Sequence, residues 1–470
     1  MKKELPLFDR IIHFFANLKF AVVIILAIGI ISAVGTVYEA IYMEAEIAQK
    51  LVYHSWPMYI TLILLCLTLI AVMIDRWPWK QHHAGFVLAH IGIIILLMGS
   101  WMTKEYGIDG NMVFNIGEER KFVTVKDRDL MVFASFGGQG MKSIFEAPVD
   151  FLSNPPSEKK PFVVRLGADQ LQFTDYYHFA YRDSEILASE LERDGPAVRI
   201  QLENANVNMT EWIRRDSQSK ARELNLGPAK IVLSSDVPPP SGQNEVIFVT
   251  RPKGKDPEKK IDYIIYSKDK ELVKKGTVVQ GDTIETGWMA LKVRLLRYLP
   301  NSRESITFTK AGYFTPVTTS AAKFSFRGQD HWIGVNSVLR LFIEDTAYVI
   351  SYGHRQIDIG FPLKLTDFKV GLQEGTDRAA SYESRVDVPA VGNVLISMNE
   401  PLYHGGFTFY QASFEKDETG RAVTSILSVN HDPGRWVKYL GSLLIVLGSI
   451  VLFYFRRTQW LSKLKGNLKS

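Results

Sequence analysis

Ten histidines and one cysteine are the residues of this 470-residue chain best suited to metal or redox chemistry, and their setting singles out one. His90 stands inside Gly85-FVLAHIGIIILLMGSW-Met102, a run otherwise made of apolar and small residues. An imidazole inside a bilayer is costly unless it pairs, relays protons or binds a metal. On an ideal helix at about 100° per residue, Gly85, Gly92 and Gly99 share one stripe, where a second helix can approach closely. His90 falls roughly 160–180° from Gly92 and Gly99, beside Val87, Ile94 and Leu97. His83 shares the face of His90, about 10 Å along the axis. One straight helix therefore cannot hold a single iron with both, so a second axial ligand to His90 must come from another helix or another subunit. The alternative for His90 is a hydrogen bond to a nearby carbonyl or hydroxyl. For His82 and His83 it is an interfacial position facing water.

The other histidines are dispersed. His13 lies in a short amphipathic stretch and is expected to face solvent or headgroups. His54, His178, His331, His354, His404 and His431 show no HExxH or other close ligand spacing and read as surface or strand residues, with His54 alone beside the membrane edge. No GxSxG, Walker A, CxxC or CxxCH pattern occurs, which leaves hydrolysis, nucleotide use, dithiol chemistry and covalent haem attachment to this chain without support. Phe136-GGQG and His404-GG read as turns. Cys66 lies within an apolar segment, so the region 103–438 has no cysteine. A domain of that size can rely on its core. A second reading is that a domain handling another protein's thiols gains by having none to exchange.

The elements that must position these residues are mostly membrane spans, each needing roughly 20 apolar residues. Four segments qualify: Phe20–Tyr38, Trp56–Ile74, Gly85–Met102 and Tyr439–Phe455. The first exceeds a signal-peptide core, about 7–15 residues, and has no small-x-small cleavage site, so it is read as retained. Lysine and arginine cluster before the first span (Lys2, Lys3, Arg10, Lys19), between the second and third (Arg76, Lys80), and after the fourth (Arg456, Arg457, Lys463, Lys465, Lys469). The loop 39–55 sets Glu39, Glu44 and Glu46 against Lys50 alone. Positive charge on one side predicts both termini in the cytoplasm and the chain in the cytoplasmic (inner) membrane. Trp56, Trp77, Trp79, Trp101, Trp436 and Trp460 mark the segment ends. The net charge of +5 thus bears on orientation and anionic headgroups, not on nucleic acid.

The expected organisation is an interfacial amphipathic helix over 1–19, spans over 20–38, 56–74, 85–102 and 439–455, connectors 39–55 and 75–84, an extracytoplasmic domain 103–438 and a basic tail 456–470. The fold class is an α+β membrane protein: four transmembrane helices plus a large β-rich, sandwich-like extracytoplasmic domain. Strand patterns fall at Phe162–Leu166, Ala197–Leu202, Lys230–Leu233, Glu245–Thr250, Ile261–Tyr266, Leu291–Leu296, Ser305–Phe308, Lys323–Phe326, Val338–Ile343, Val394–Met398 and Phe407–Phe414. A helix is predicted over Asn208–Leu224 with Thr210 as its cap. Proline-bearing breaks at Ser153-NPPSEKKP and Val237-PPPSGQN suggest two lobes.

The order of pieces resembles the ResB (CcsB) family of System II cytochrome c maturation along the whole chain. The resemblance rests on His83-AGFVLAHIGIIILLMGSW, Tyr106-GIDGNMVFNIGE, Ile396-SMNEPLYHGGFTFYQASF and Val429-NHDPGRWVKYLGSLLIVLG. It implies a haem-handling subunit that pairs with a multi-span CcsA/ResC-type protein and presents haem to the CxxCH of apocytochrome c. The family's membrane histidine maps to His90, with His83 second. Haem b would be transient and shared, with the partner supplying the other ligand. Thiol-reducing thioredoxin-like proteins are further expected partners. No tryptophan-rich WWD segment is present, so the chain resembles the stand-alone ResB half of a holocytochrome c synthase complex, with little or no activity alone. Phe407–Gln411, if at a sheet edge, could accept an extended peptide, with Tyr410 and Gln411 as contacts; alternatively those two residues pack and satisfy buried backbone groups. The competing function is a membrane-anchored scaffold or chaperone for exported polypeptides that binds no haem. A third reading, electron transfer through an intramembrane haem, wants histidines on two facing spans, and the other three spans have none.

Overall fold

A computed structural model describes residues 6–137, 140–167, 169–191, 194–216, 219–250, 260–343, 345–375, 378–389, 391–416 and 422–467, with side chains described only to residue 454 in the last helix. Lys2, Lys3, part of Phe136-GGQG, and the side chains of Arg456, Arg457, Trp460, Lys463, Lys465 and Lys469 lie outside the described set.

The chain opens with helix α1, Leu7–Phe15, then α2, Leu18–Tyr42, whose cap Asn17 accepts from the Lys19 N–H at 2.8 Å. A short helix α3, Ala45–Ala48, runs into one wider π turn, Gln49–Tyr53. Helix α4 spans Trp56–Asp75 with proline in its first turn, and α5 spans Ala84–Tyr106 behind a single tight turn at Gln81–His83. The last helix, α6, is Arg435–Asn467. Four stretches, Leu18–Tyr42, Trp56–Asp75, Gln81–Tyr106 and Arg435–Tyr454, are long and apolar enough to cross a membrane. Their lipid-facing side chains stay exposed because no aqueous core rewards burying them. His13 is exposed, as expected, and also pairs with Asp75 at 2.8 Å, tying α1 to the end of α4.

The remainder is a multi-sheet, largely antiparallel β domain. In chain order its strands are β1 Ile108–Asn115, β2 Glu119–Phe136, β3 Lys142–Val149, β4 Phe162–Leu166, β5 Asp169–Ala188, β6 Ala197–Glu203, β7 Asn208–Arg214, β8 Ala221–Asn225, β9 Ala229–Ser234, β10 Asn244–Val249, β11 Ile261–Tyr266 and β12 Leu272–Val278. They continue as β13 Thr283–Glu285, β14 Lys292–Leu299, β15 Ser302–Lys310, β16 Thr318–Phe326, β17 Gln329–Gly334, β18 Ser337–Ile343, β19 Thr346–Leu372, β20 Ala379–Val388, β21 Gly392–Ser397, β22 Leu402–His404, β23 Phe407–Lys416 and β24 Ala422–His431. The chain divides into two compact units, one of residues 1–180 and 310–470, the other the insertion 181–309. The proline-bearing segments 153–161 and 237–244 each lie inside one unit, away from those boundaries.

In the first unit a ten-stranded sheet runs β21-β20-β19-β2-β1-β24-β23-β22, with β3 added to β2 and β18 to β19. Alternating side chains of these strands bury Met112, Phe114, Val123, Leu363, Phe409 and Leu427 in one cluster. A second cluster gathers Leu130, Phe173, Phe324, Ile350 and Tyr352. The inserted unit holds the sheets β12-β11-β10-β9-β8 and β13-β14-β6-β7 around Ile200, Ile231 and Phe248. Its β9–β10 pair is parallel.

One expectation is corrected here. Asn208–Leu224 is not a helix but β7 and β8. Met209, Trp212 and Ile213 have the spacing of a helical face, yet β7 is held against β6 from Ala197↔Arg214 to Glu203↔Asn208. Tertiary pairing overrides a weak local pattern here.

Candidate functional site

The glycine stripe of α5 has found its partner within the chain. Gly434, in the turn just before α6, and Gly441 and Gly448 within it carry the same seven-residue spacing and meet Gly99, Gly92 and Gly85 in antiparallel order. A Cβ on Gly92 would lie 2.8 Å from the Gly441 carbonyl oxygen and from the Ile445 nitrogen. One on Gly85 would lie 2.5 Å from the Leu452 nitrogen, and one on Gly448 2.5 Å from the Ala89 nitrogen. Backbone thus meets backbone along the seam, the arrangement small residues permit inside a bilayer. The spacing in α6 was the sequence signal for this seam, and it is as readable as that in α5.

His90 lies on the opposite face of α5 from the seam, by the helical angle that separates it from Gly92. It is half-buried. Its Nδ1 sits 2.8 Å from the Phe86 carbonyl oxygen, its ring centroid lies 3.9 Å from that of Phe86 at a tilt of 39°, and the Arg76 guanidinium lies over the Phe86 ring at 3.9 Å. A carbonyl only accepts, so Nδ1 carries the proton and the lone pair is on Nε2. Among the described residues no hydrogen-bond partner meets Nε2. A backbone carbonyl fixing Nδ1–H is the support that orients a metal-ligating imidazole. The side chain therefore fits an axial ligand in tautomer and accessibility, and the same bond also satisfies the hydrogen-bonded alternative.

His83 ends the tight turn before α5, where its Nδ1 accepts from the Lys80 N–H at 3.4 Å and its ring lies 4.1 Å from that of His82. The structure does not bring it to His90. The strand β23 is flanked by β24 throughout and by β22 at Phe407–Phe409, and the Tyr382 hydroxyl donates to the Ala412 carbonyl at 3.1 Å. Gln411 is buried. Its oxygen accepts from Ser384 Oγ at 2.6 Å, and its nitrogen donates to Ser425 Oγ at 3.1 Å and the Ser413 carbonyl at 3.2 Å. Gln411 packs and satisfies buried groups, the alternative the sequence left open for it, whereas Tyr410 reaches solvent beyond the stretch paired with β22.

A cluster the sequence reading missed joins the α2–α4 connector to the β domain. Glu46 is buried and receives Arg128 Nη1 at 3.2 Å and Nη2 at 3.3 Å, with Lys50 Nζ at 3.3 Å. His178 Nε2 stands 2.6 Å from Glu44 and its Nδ1 3.0 Å from the Tyr176 hydroxyl. Burial raises the Glu44 carboxyl, but the hydrogen bond and charge of His178, with Arg128 and Lys126, together hold it below its ordinary 4.5. Ligand atoms of Glu44, Glu46 and His178 all lie within 4.8 Å of one another, a spacing that could hold a cation. Arg128 and Lys50 already fill that electrostatic role. Only the Glu46–Lys50 spacing was visible locally; Arg128 is 82 residues away.

Four apolar helices that anchor a large β domain define an integral membrane protein, here with one half-buried histidine on the face of α5 opposite its glycine seam. Residues 324–426, which run from β16 into β24, match the ResB-like family. A segment of 113 residues is 35% identical to Protein NrfI of Wolinella succinogenes, covering 23% of this chain and 12% of that protein's length. The likeness to ResB-like proteins is thus carried by one segment of the β domain, and the match spans only a small part of the relative's own length. The family match lies in the β domain and does not include His90.

Proposed function

We propose that this chain is the haem-handling half of a two-protein cytochrome c synthase, with His90 as one axial ligand to haem iron. The observation that carries this reading is the arrangement on α5. The Phe86 carbonyl holds the imidazole with Nε2 free, on the face opposite a helix seam closed by its own chain. With α6 occupying the glycine face, the His90 face is the one left for another protein. A CcsA/ResC-type partner would supply the second ligand, and the cargo is haem b. Arg76 beside Phe86 places a cation in the same neighbourhood, which suits a ligand bearing carboxylates. Apocytochrome c, whose CxxCH thiols add across the vinyl groups, is the acceptor, with thioredoxin-like proteins keeping those thiols reduced. The distribution of lysine and arginine supports an orientation with both termini in the cytoplasm and the β domain on the far side. His83 is the alternative ligand, and Tyr410 is one exposed residue of its strand that an apocytochrome would touch.

The test is spectroscopic. The full chain is co-purified with its multi-span partner, and visible spectra are compared for wild type, His90→Ala and His83→Ala. Loss of haem, or shifted Soret and α bands, is expected for His90→Ala alone. Unchanged spectra in that variant would refute the ligand assignment. Absence of haem from the wild-type complex would favour the scaffold reading.

A further inference from the structure

The segment Ala311–Thr318, AGYFTPVT, contains no charged residue, and its apolar side chains point away from the protein. Val317 is 73% exposed, Tyr313 52% and Phe314 42%. The segment is nonetheless well pinned. The Ala311 N–H donates to the Phe179 carbonyl at 2.8 Å, and the Phe314 N–H to the Tyr42 carbonyl at 3.1 Å. Thr318 closes the turn, its N–H and hydroxyl reaching the Thr315 carbonyl at 3.0 and 2.8 Å while the Thr315 N–H returns to its Oγ1 at 2.9 Å. The Phe179 ring lies 6.3 Å from Phe314 and 6.5 Å from Tyr42.

Tyr42 is the last residue of α2, an apolar helix long enough to cross the membrane. The bond from Phe314 therefore fixes the height of the segment at the level where that helix leaves the bilayer. Ile41 and Met43 beside it are likewise exposed and apolar. Exposed tyrosine, phenylalanine and valine without charge are poorly placed in water but suited to the headgroup–acyl boundary, where aromatic rings concentrate at span ends. Continuity with the lipid-facing surface of α2 favours lipid over a protein partner.

We propose that residues 311–318 dip into the interfacial zone of the leaflet on the β-domain side, making a lipid-seated foot that holds the β domain against the membrane independently of any haem role. The test uses the full chain with Cys66→Ser, nitroxide-labelled at Tyr313→Cys or Val317→Cys, in phosphatidylethanolamine–phosphatidylglycerol vesicles. A control label replaces Leu372, which is also exposed, at the end of β19. Collision with oxygen and with a water-soluble nickel chelate is measured for each. At positions 313 and 317 oxygen is expected to dominate, reversing the sign of the logarithmic ratio found at 372. Nickel-dominated collision at both sites would overturn the proposal. Shielding that arises only when a partner protein is co-reconstituted would overturn it too, assigning the surface to that protein.

Discussion

Replacing Gly92 by alanine tests whether the α5–α6 seam is as tight as its geometry demands. The new Cβ would stand 2.8 Å from the Gly441 carbonyl oxygen and the Ile445 nitrogen, whereas nine in ten real Cβ contacts exceed 3.4 Å. Both neighbours are backbone, so relief requires the helices to separate by about 0.6 Å, losing contacts on either side of the insertion. Gly29 in α2 is the internal control, because a Cβ there meets nothing within 4 Å. Both substitutions gain the same intrinsic helix preference, up to about 1 kcal/mol, and that gain cancels in the comparison. What remains is over-packing, about 1–3 kcal/mol. Reversible unfolding in bicelles, read by steric trapping or by titration with a denaturing detergent, should therefore rank Gly29→Ala above Gly92→Ala by that amount. Equal stability of the two variants would show that the seam yields at no cost.

Three further outcomes follow from the buried polar groups. Arg128→Ala leaves Glu46 buried with Lys50 alone, and breaking such a pair costs about 3–5 kcal/mol; a shift in thermal unfolding below 1 kcal/mol would mean that water already solvates the carboxylate. Glu44 has a folded pKa below its ordinary 4.5, so its contribution is fully present above that value and is lost as pH falls through the lowered one. Unfolding midpoints followed downward from neutral pH should drop in that acid window for wild type and less for Glu44→Gln; parallel curves would remove Glu44 from the account. Gln411→Ala strips partners from Ser384 and Ser425 and should cost about 1–3 kcal/mol in denaturant unfolding, whereas Tyr410→Ala should cost less. The reverse order would place Gln411 outside the core.

What the sequence disclosed depended on the range of the interactions involved. β4 and β11 fall on the residues their alternating pattern predicts, Phe162–Leu166 and Ile261–Tyr266, because side-chain alternation is a local property. The spans are legible for the same reason, although α2 and α5 extend several residues past the apolar runs that signalled them. The face of His90 was legible from helical angles, and so was the glycine stripe opposite it; the matching seven-residue spacing that leads into α6 was equally local and was overlooked. Asn208–Leu224 misled because three apolar residues fit a helical period while the deciding bonds come from β6. His178 and Arg128 gave no local sign of their roles, since each is defined by a connector carboxylate more than 80 residues earlier.

The seam does more than join two helices. Helix α5 passes through Gly107 directly into β1, and β24 passes through Asp432 into α6, while β1 and β24 pair from Ile108↔His431 to Asn115↔Thr424. The antiparallel helix pair therefore continues as an antiparallel strand pair. At the junction the Thr103 hydroxyl donates to Asp432 at 2.6 Å, and Lys438 reaches the same carboxylate at 2.8 Å. The turn after His404 closes on this junction, with His431 Nδ1 2.8 Å from the Gly406 carbonyl. His90 thus sits on an element whose other face is locked by glycine contacts and whose end is a central strand of the ten-stranded sheet. A ligand bound there would be held in a fixed relation to that sheet, the condition the proposed transfer would need.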